Sequence, residues 1–160
     1  MKLLVISDTH IPGAAPELPL VLRRAAERME GIVHAGDYTS LTTVEQLREM
    51  GPFYGVAGNM DSREVRQLLP SQLVVELAGV QVGIIHGWGP PQGLAERVLQ
   101  ALPKVEVLIF GHSHQPLCER RGRVLLLNPG SPTDRFYAKV NTYAVLYLGE
   151  GPPRAEIAVI

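Results

Sequence analysis

Apolar residues along this chain come in short runs of strand length, and most runs end at a small cluster of glycine, aspartate, asparagine or histidine. Residues 2–7 are rich in leucine and β-branched side chains and read as a buried strand, followed by a Pro/Gly-broken loop over 11–19. Over 20–30 the apolar positions Val21, Leu22, Ala25, Ala26 and Met29 recur at helical spacing, with Gly31 as the expected stop. Residues 32–35 form a second short strand ending at Gly36-Asp37. Thr42 or Thr43 is expected to cap a helix through Met50, closed by Gly51-Pro52, and 53–57 resumes strand character before Gly58-Asn59. This alternation of strand and helix predicts a parallel βαβ opening.

The second half changes character. A short helix over 63–69 precedes two runs, 73–77 and 80–85, that straddle Ala78-Gly79 as a hairpin whose second arm ends at His86. Pro90 and Pro91 are expected to open a helix through Leu102, and 105–110 is an apolar strand ending at Gly111. Runs over 117–120, 124–127 and 142–147 read as antiparallel strands, and 154–160 alternates as one more. The expectation is one α/β domain over residues 1–160, a mixed sandwich that is parallel in its first part.

Composition narrows the classes. A chain of 160 residues is long enough to bury about two-thirds of its unfolded surface in a core. The formal charge of −1 leaves no basic field, which argues against a dedicated nucleic-acid-binding surface. The single cysteine, Cys118, excludes an internal disulfide and is expected to pack as a small apolar group. The first apolar run is too short for a signal peptide and no stretch is long enough to span a membrane, so a cytoplasmic protein with no membrane partner is expected.

The polar residues that close the strands carry the chemistry. Asp8, Asp37, Asn59, His86 and His112 each fall one or two positions past a predicted strand, where open α/β sheets form their ligand crevice. Four of the five histidines lie in such clusters, and only His34 lies outside them. In Asp8-Thr9-His10 and His112-Ser113-His114, an i, i+2 spacing in extended backbone would turn both side chains to the same side. Two carboxylates, four imidazoles and one amide suit Mn, Fe, Zn, Co or Ni rather than Ca. Ligand type does not choose among them; manganese is the first expectation. Two divalent ions against two aspartates leave net positive charge, which favours a phosphate anion.

The ordered series Asp8-x-His10, Gly36-Asp37, Gly58-Asn59, His86-Gly87 and Gly111-His112-x-His114 resembles the calcineurin-like metallophosphoesterase superfamily, over most of the chain. With its small size and the Asn128-Pro129-Gly130-Ser131 tract, it is most similar to the compact bacterial and archaeal phosphodiesterase branch, to which the retromer subunit Vps29 is related. The resemblance implies two mixed β-sheets packed as a sandwich flanked by helices, a four-layer α/β/β/α arrangement. It implies Asp8, His10, Asp37 and His114 on one metal and Asp37, Asn59, His86 and His112 on a second, with Asp37 bridging and with Asp37, Asn59 and His112 closest to catalysis. In such a centre a bridging water becomes a hydroxide near neutral pH and attacks phosphorus in line.

Met60 departs from the pattern of family members acting on monoesters, which commonly carry His directly after the Gly-Asn pair. A thioether donates no proton, and general-acid help is worth about 10²–10⁴-fold. Phosphodiesters, including nucleotide esters, or esters with acidic leaving groups are therefore expected over alkyl monoesters. His34 is set aside as a substitute acid because it lies inside a strand. Arg135 and Met60 are candidate substrate contacts, Arg135 with a solvated loop charge as the plainer reading. Asp61 and Ser62 read as helix caps over substrate contacts, and Trp88, between Gly87 and Gly89, as a pocket wall, a platform for stacking a base, or a packing residue. A phosphomonoesterase of the same fold and a non-catalytic Vps29-like binding protein are the alternatives. A homodimer is compatible with the sequence, which does not specify oligomeric state.

Overall fold

The computed structural model describes residues 1–160. Two five-stranded mixed sheets face each other. The first has the order β10-β9-β1-β2-β3, built from β1 (Lys2–Ile6), β2 (Gly31–His34), β3 (Phe53–Gly55), β9 (Thr142–Tyr147) and β10 (Arg154–Val159). The second has the order β4-β5-β6-β8-β7, from β4 (Gln72–Leu77), β5 (Val80–Ile85), β6 (Val107–Ile109), β7 (Leu117–Arg121) and β8 (Val124–Asn128). Helices α1 (Leu20–Ala26), α2 (Leu41–Glu49) and α3 (Arg63–Leu68) cover the first sheet, and α4 (Leu94–Ala101) covers the second. This is the expected sandwich of two mixed sheets with helices outside.

Alternation along the strands decides which side chains meet. Leu3, Val5, Val33 and Leu146 of the first sheet pack against Val82, Ile84, Val107, Ile109 and Leu127 of the second, forming the central core. The intervening residues Leu4, Ile6 and Ile32 face α1 and α2, while Leu108 and Leu126 face α4. Each such side chain, fully removed from water, stabilises the fold by roughly 1.5–3 kcal/mol.

Each sheet contains one parallel triplet, β1-β2-β3 and β5-β6-β8. The strand over 124–128 is antiparallel to β7 as expected but parallel to β6, because the chain returns from β7 through a tight turn. Its last residue, Asn128, thereby reaches the same end of the sheet as the residues after β5 and β6. The hairpin at Ala78-Gly79 is confirmed, with φ of 50° and 78°, the mirror-image turn that matches strand twist.

Several local expectations are corrected. Gly31 opens β2 instead of stopping α1, because the Glu30 N–H is drawn to the Lys2 carbonyl at 2.8 Å. Ser40, not Thr42 or Thr43, caps α2 by accepting the Thr43 N–H, while the Thr43 hydroxyl turns to the Ile11 carbonyl. Pro90 and Pro91 lie in the loop before α4, whose cap is Gly93 at φ 72°. Cys118 is exposed on β7 instead of packed. No helix is long and apolar enough to cross a membrane.

Candidate metal centre

Seven polar side chains converge where the parallel triplets end: Asp8 and His10 after β1, Asp37 after β2, Asn59 after β3, His86 after β5, and His112 and His114 after β6. The backbone there is not extended, contrary to expectation. Asp8, His10, Asp37, His112 and His114 have φ of 54°, 44°, 61°, 71° and 56°. Left-handed conformations of this kind cost about 1–3 kcal/mol each and persist only where the surroundings over-determine them. Here the Asp8 N–H donates to Gly36 O and the His10 N–H to Asp37 O, both at 3.0 Å, locking the first two loops together.

The motif glycines make room for the carboxylates. A Cβ on Gly58 would overlap the Asp37 carboxylate, and one on Gly111 would overlap the Ser7 hydroxyl and Asp8 Oδ2. These two positions therefore exclude every side chain, for a reason of close approach.

The donor atoms share a small volume. One carboxylate oxygen, Asp8 Oδ1, lies 4.0 Å from His10 Nε2, 3.4 Å from His114 Nε2 and 3.9 Å from His86 Nε2. Asp37 Oδ2 lies 3.8 Å from His10 Nε2 and 3.3 Å from His86 Nε2. Asn59 Oδ1 is 3.0 Å from both His86 Nε2 and His112 Nδ1. Asp8, His10 and His114 form one cluster with every ligand atom within 4.8 Å of the others, and Asp8, Asp37 and His86 form a second.

Whether these groups suit a metal is answered by what lies behind them. His86 Nδ1 donates to the Ala35 carbonyl at 2.7 Å, His112 Nε2 to the Gly89 carbonyl at 2.9 Å, and His114 Nδ1 to Asp134 Oδ2 at 2.6 Å. Each imidazole is thus anchored through one nitrogen and presents the other to the cluster, the arrangement that orients metal-ligating histidines. His10 Nε2 and His114 Nε2 face each other at 3.4 Å, close enough for one cation or one proton to be shared between them. The donors fit a divalent metal.

Electrostatics agree. Burial alone would lower the basicity of His86 and His114, but the hydrogen bonds and negative charge of Asp37 and Asp8 raise His86 to about 9. Asp8 and Asp134 likewise raise His114 to about 9. Burial would raise Asp8, yet the His114 hydrogen bond, the charges of His86 and His114 and the Ser7 hydroxyl hold it below the usual carboxylate range. The site is a nest of paired anions with a strong demand for positive charge, met by protons in the absence of metal.

A family profile described as the calcineurin-like phosphoesterase superfamily domain matches residues 1–151. The chain belongs to that superfamily. Among its relatives, a probable metallophosphoesterase of Methanothermobacter thermautotrophicus is 42% identical, over 81% of this chain and 76% of its own. Phosphodiesterase YfcE of Escherichia coli is 33% identical, over 82% of this chain and 79% of its own. The structure of Vacuolar Protein Sorting 29 from Cryptosporidium parvum superposes with a TM-score of 0.78 over 99% of this chain and 97% of that one, at 24% identity, a likeness of fold. The superfamily uses divalent metals, and this phosphoesterase-family chain carries the donor groups for them.

The remaining candidates divide. Met60 is 60% exposed on the wall of a cavity of about 610 Å³ that also holds His10, Asp37, Asn59, His112 and His114. Arg135 is exposed outside that cavity, which takes Phe136 and Tyr137 instead. His34 is fully buried and stacked on Tyr38 at 3.7 Å, and accepts the Gly36 N–H. Burial lowers it to about 3, so it is a neutral core histidine and no acid. Ser62 caps α3, whereas Asp61 turns inward to accept the N–H groups of Asp37, Thr39 and Gly58, tying the second and third loops together. The Asn128 amide donates to Gly111 O and the Ser131 hydroxyl to Asp8 O, so that tract buttresses two ligand loops.

Asp134 is the functional residue that sequence reasoning passed over. Its carboxylate receives His114 Nδ1–H and the N–H groups of Phe136, Tyr137 and Ala138, and burial, which would raise its pKa, is outweighed so that it sits at about 2. The only signal in the sequence was an acidic residue shortly after a turn-prone tract. Replacing Asp134 with Asn removes the anion that holds His114 Nδ1–H and fixes the ring's orientation. Divalent-metal affinity is expected to fall about 10–100-fold, read by competition with a fluorescent chelator. An unchanged affinity would remove Asp134 from the centre.

Proposed function

We propose that this chain is a metal-dependent phosphodiesterase with a binuclear centre. Asp8, His10, Asp37 and His114 would hold one divalent ion, and Asp37, Asn59, His86 and His112 the other, with manganese the first to be tried. The observation that carries this reading is the position of Asp37 Oδ2, within 3.8 Å of His10 Nε2 and 3.3 Å of His86 Nε2, between the two imidazole groups.

When bound, two divalent ions supply Lewis-acid polarisation of the phosphoryl group and a water activated near neutral pH. The chain supplies the rest. Asn59 Oδ1 lies 3.0 Å from both His86 Nε2 and His112 Nδ1, so three donor atoms are grouped where one ion would be held. Only two carboxylates face the cluster, so their charge does not repel a phosphoryl anion once metal is present. Beyond the ligands, the cavity wall of Met60, Pro91, Phe136 and Tyr137 is uncharged and suits organic ester arms better than a free dianion. Of these four side chains only the Tyr137 phenol can donate a proton, and position 60, directly after the candidate ligand Asn59, carries none, which supports diesters or acidic leaving groups. The single cysteine supports a cytoplasmic setting.

The test is hydrolysis of bis-p-nitrophenyl phosphate against p-nitrophenyl phosphate by metal-stripped protein titrated with Mn²⁺. Diester turnover that appears with metal and exceeds monoester turnover is expected. Faster monoester turnover would make the protein a monoesterase. No turnover on either compound, with metal bound, would shift the reading to a binding protein.

A further inference from the structure

A second cavity, of about 570 Å³, opens on the other side of Asn59 and His86. Its walls differ in kind from those of the first. Arg66 is the one arginine or lysine lining either cavity, and Trp88, Ser71 and Gln72 complete its polar face over a floor of Leu69 and Ile85. Arg23, Arg121 and Arg154, elsewhere on the chain, are paired with Glu17, with Glu96 and Glu119, and with Glu156. Arg66 has no carboxylate within ion-pair distance and stands exposed at the end of α3.

Trp88 is held by its backbone and left free at its ring. The Arg97 guanidinium gathers the carbonyls of Trp88, Pro90 and Gln92, and Gly87 and Gly89 at φ 98° and 78° turn the chain on either side. The indole itself is 49% exposed and in no ring pair. An anchored, half-exposed indole offers a stacking face to a planar ring, and a guanidinium lining the same cavity matches a phosphate fork. Asn59 lines both cavities and His86 lines this one, so this cavity adjoins the donor cluster and an arm of a phosphoryl group held at the centre can enter it.

We propose that the Arg66–Trp88 cavity binds one arm of the substrate, and that this arm is a nucleoside carrying a second phosphate. The base stacks on Trp88, Ser71 and Gln72 offer hydrogen bonds to its polar edge, and Arg66 takes the additional phosphate. The assignment rests on a phosphoryl group sitting at the metal centre as read above, and adds the substrate class.

The test is calorimetric titration of Mn²⁺-loaded protein with thymidine 3′,5′-bisphosphate and with thymidine 5′-phosphate. The bisphosphate is expected to bind about tenfold more tightly or better, since a charged hydrogen-bonded pair is at stake. In R66Q that preference disappears, and R66K keeps part of it. In W88A both nucleotides weaken by about tenfold while the preference for the bisphosphate survives. Equal binding of the two nucleotides by the wild type, or a preference that persists in R66Q, overturns the proposal. The two readings separate cleanly. An Arg66-dependent preference without turnover of bis-p-nitrophenyl phosphate keeps this site and removes the enzyme, whereas turnover without the preference does the reverse.

Discussion

Asp37→Asn is expected to reduce metal-dependent diester turnover by about 10³-fold or more. The carboxylate has two separate tasks. Its Oδ1 accepts the Met60 N–H at 2.7 Å, and its Oδ2 faces His10 and His86. Asparagine keeps the shape and can keep the first bond, so the loop after β2 should fold as before. It removes the nearer of the two carboxylate charges that face both His10 and His86, and its NH₂ cannot serve as a ligand. Metal content measured on the purified variant should fall from two ions toward one, with the thermal transition of the protein still cooperative. Wild-type turnover with full metal content would sink the bridging role of Asp37.

Met60→His is expected to act in the opposite direction on a different substrate. Met60 follows Asn59 on the cavity wall, 60% exposed, with nothing packed over it. An imidazole there has room to approach the leaving oxygen and donate a proton. The benefit is greatest when the leaving group is basic, where general-acid help reaches about 10²–10⁴-fold. Phenyl phosphate turnover should therefore rise by about 10²-fold in the variant. Bis-p-nitrophenyl phosphate, whose leaving group is acidic, should change far less. A variant with the same phenyl phosphate rate as the wild type would show that position 60 does not set the preference between diesters and monoesters.

Both experiments probe a centre whose parts differ in how they are specified. Asp8 and Asp37 depend on loops that double back sharply, and Gly58 and Gly111 are needed because any Cβ would occupy the space of those carboxylates. The ligand loops are braced from a distance by Asp61, Asn128 and Ser131, none of which faces the cluster itself. Substitutions at these braces should therefore appear first as altered metal affinity.

The order of strands and helices, the two-sheet class and the polar clusters at the strand ends are all legible in the chain. These are local properties: periodicity over a few residues selects strand or helix, and a polar cluster directly after an apolar run lies at a strand end by construction. The left-handed backbone of Asp8, His10, Asp37, His112 and His114 was not legible, because extended and turned tripeptides carry the same residues. The parallel pairing of β8 with β6 followed from chain crossover, which no short window encodes. The partners behind the histidines come from folding: Ala35 for His86, Gly89 for His112 and Asp134 for His114. Those bonds join segments 20 to 51 residues apart. Which carbonyl or carboxylate meets which imidazole is fixed by how the two sheets stack, and hydrogen bonds between loops leave no periodic trace in the chain that makes them.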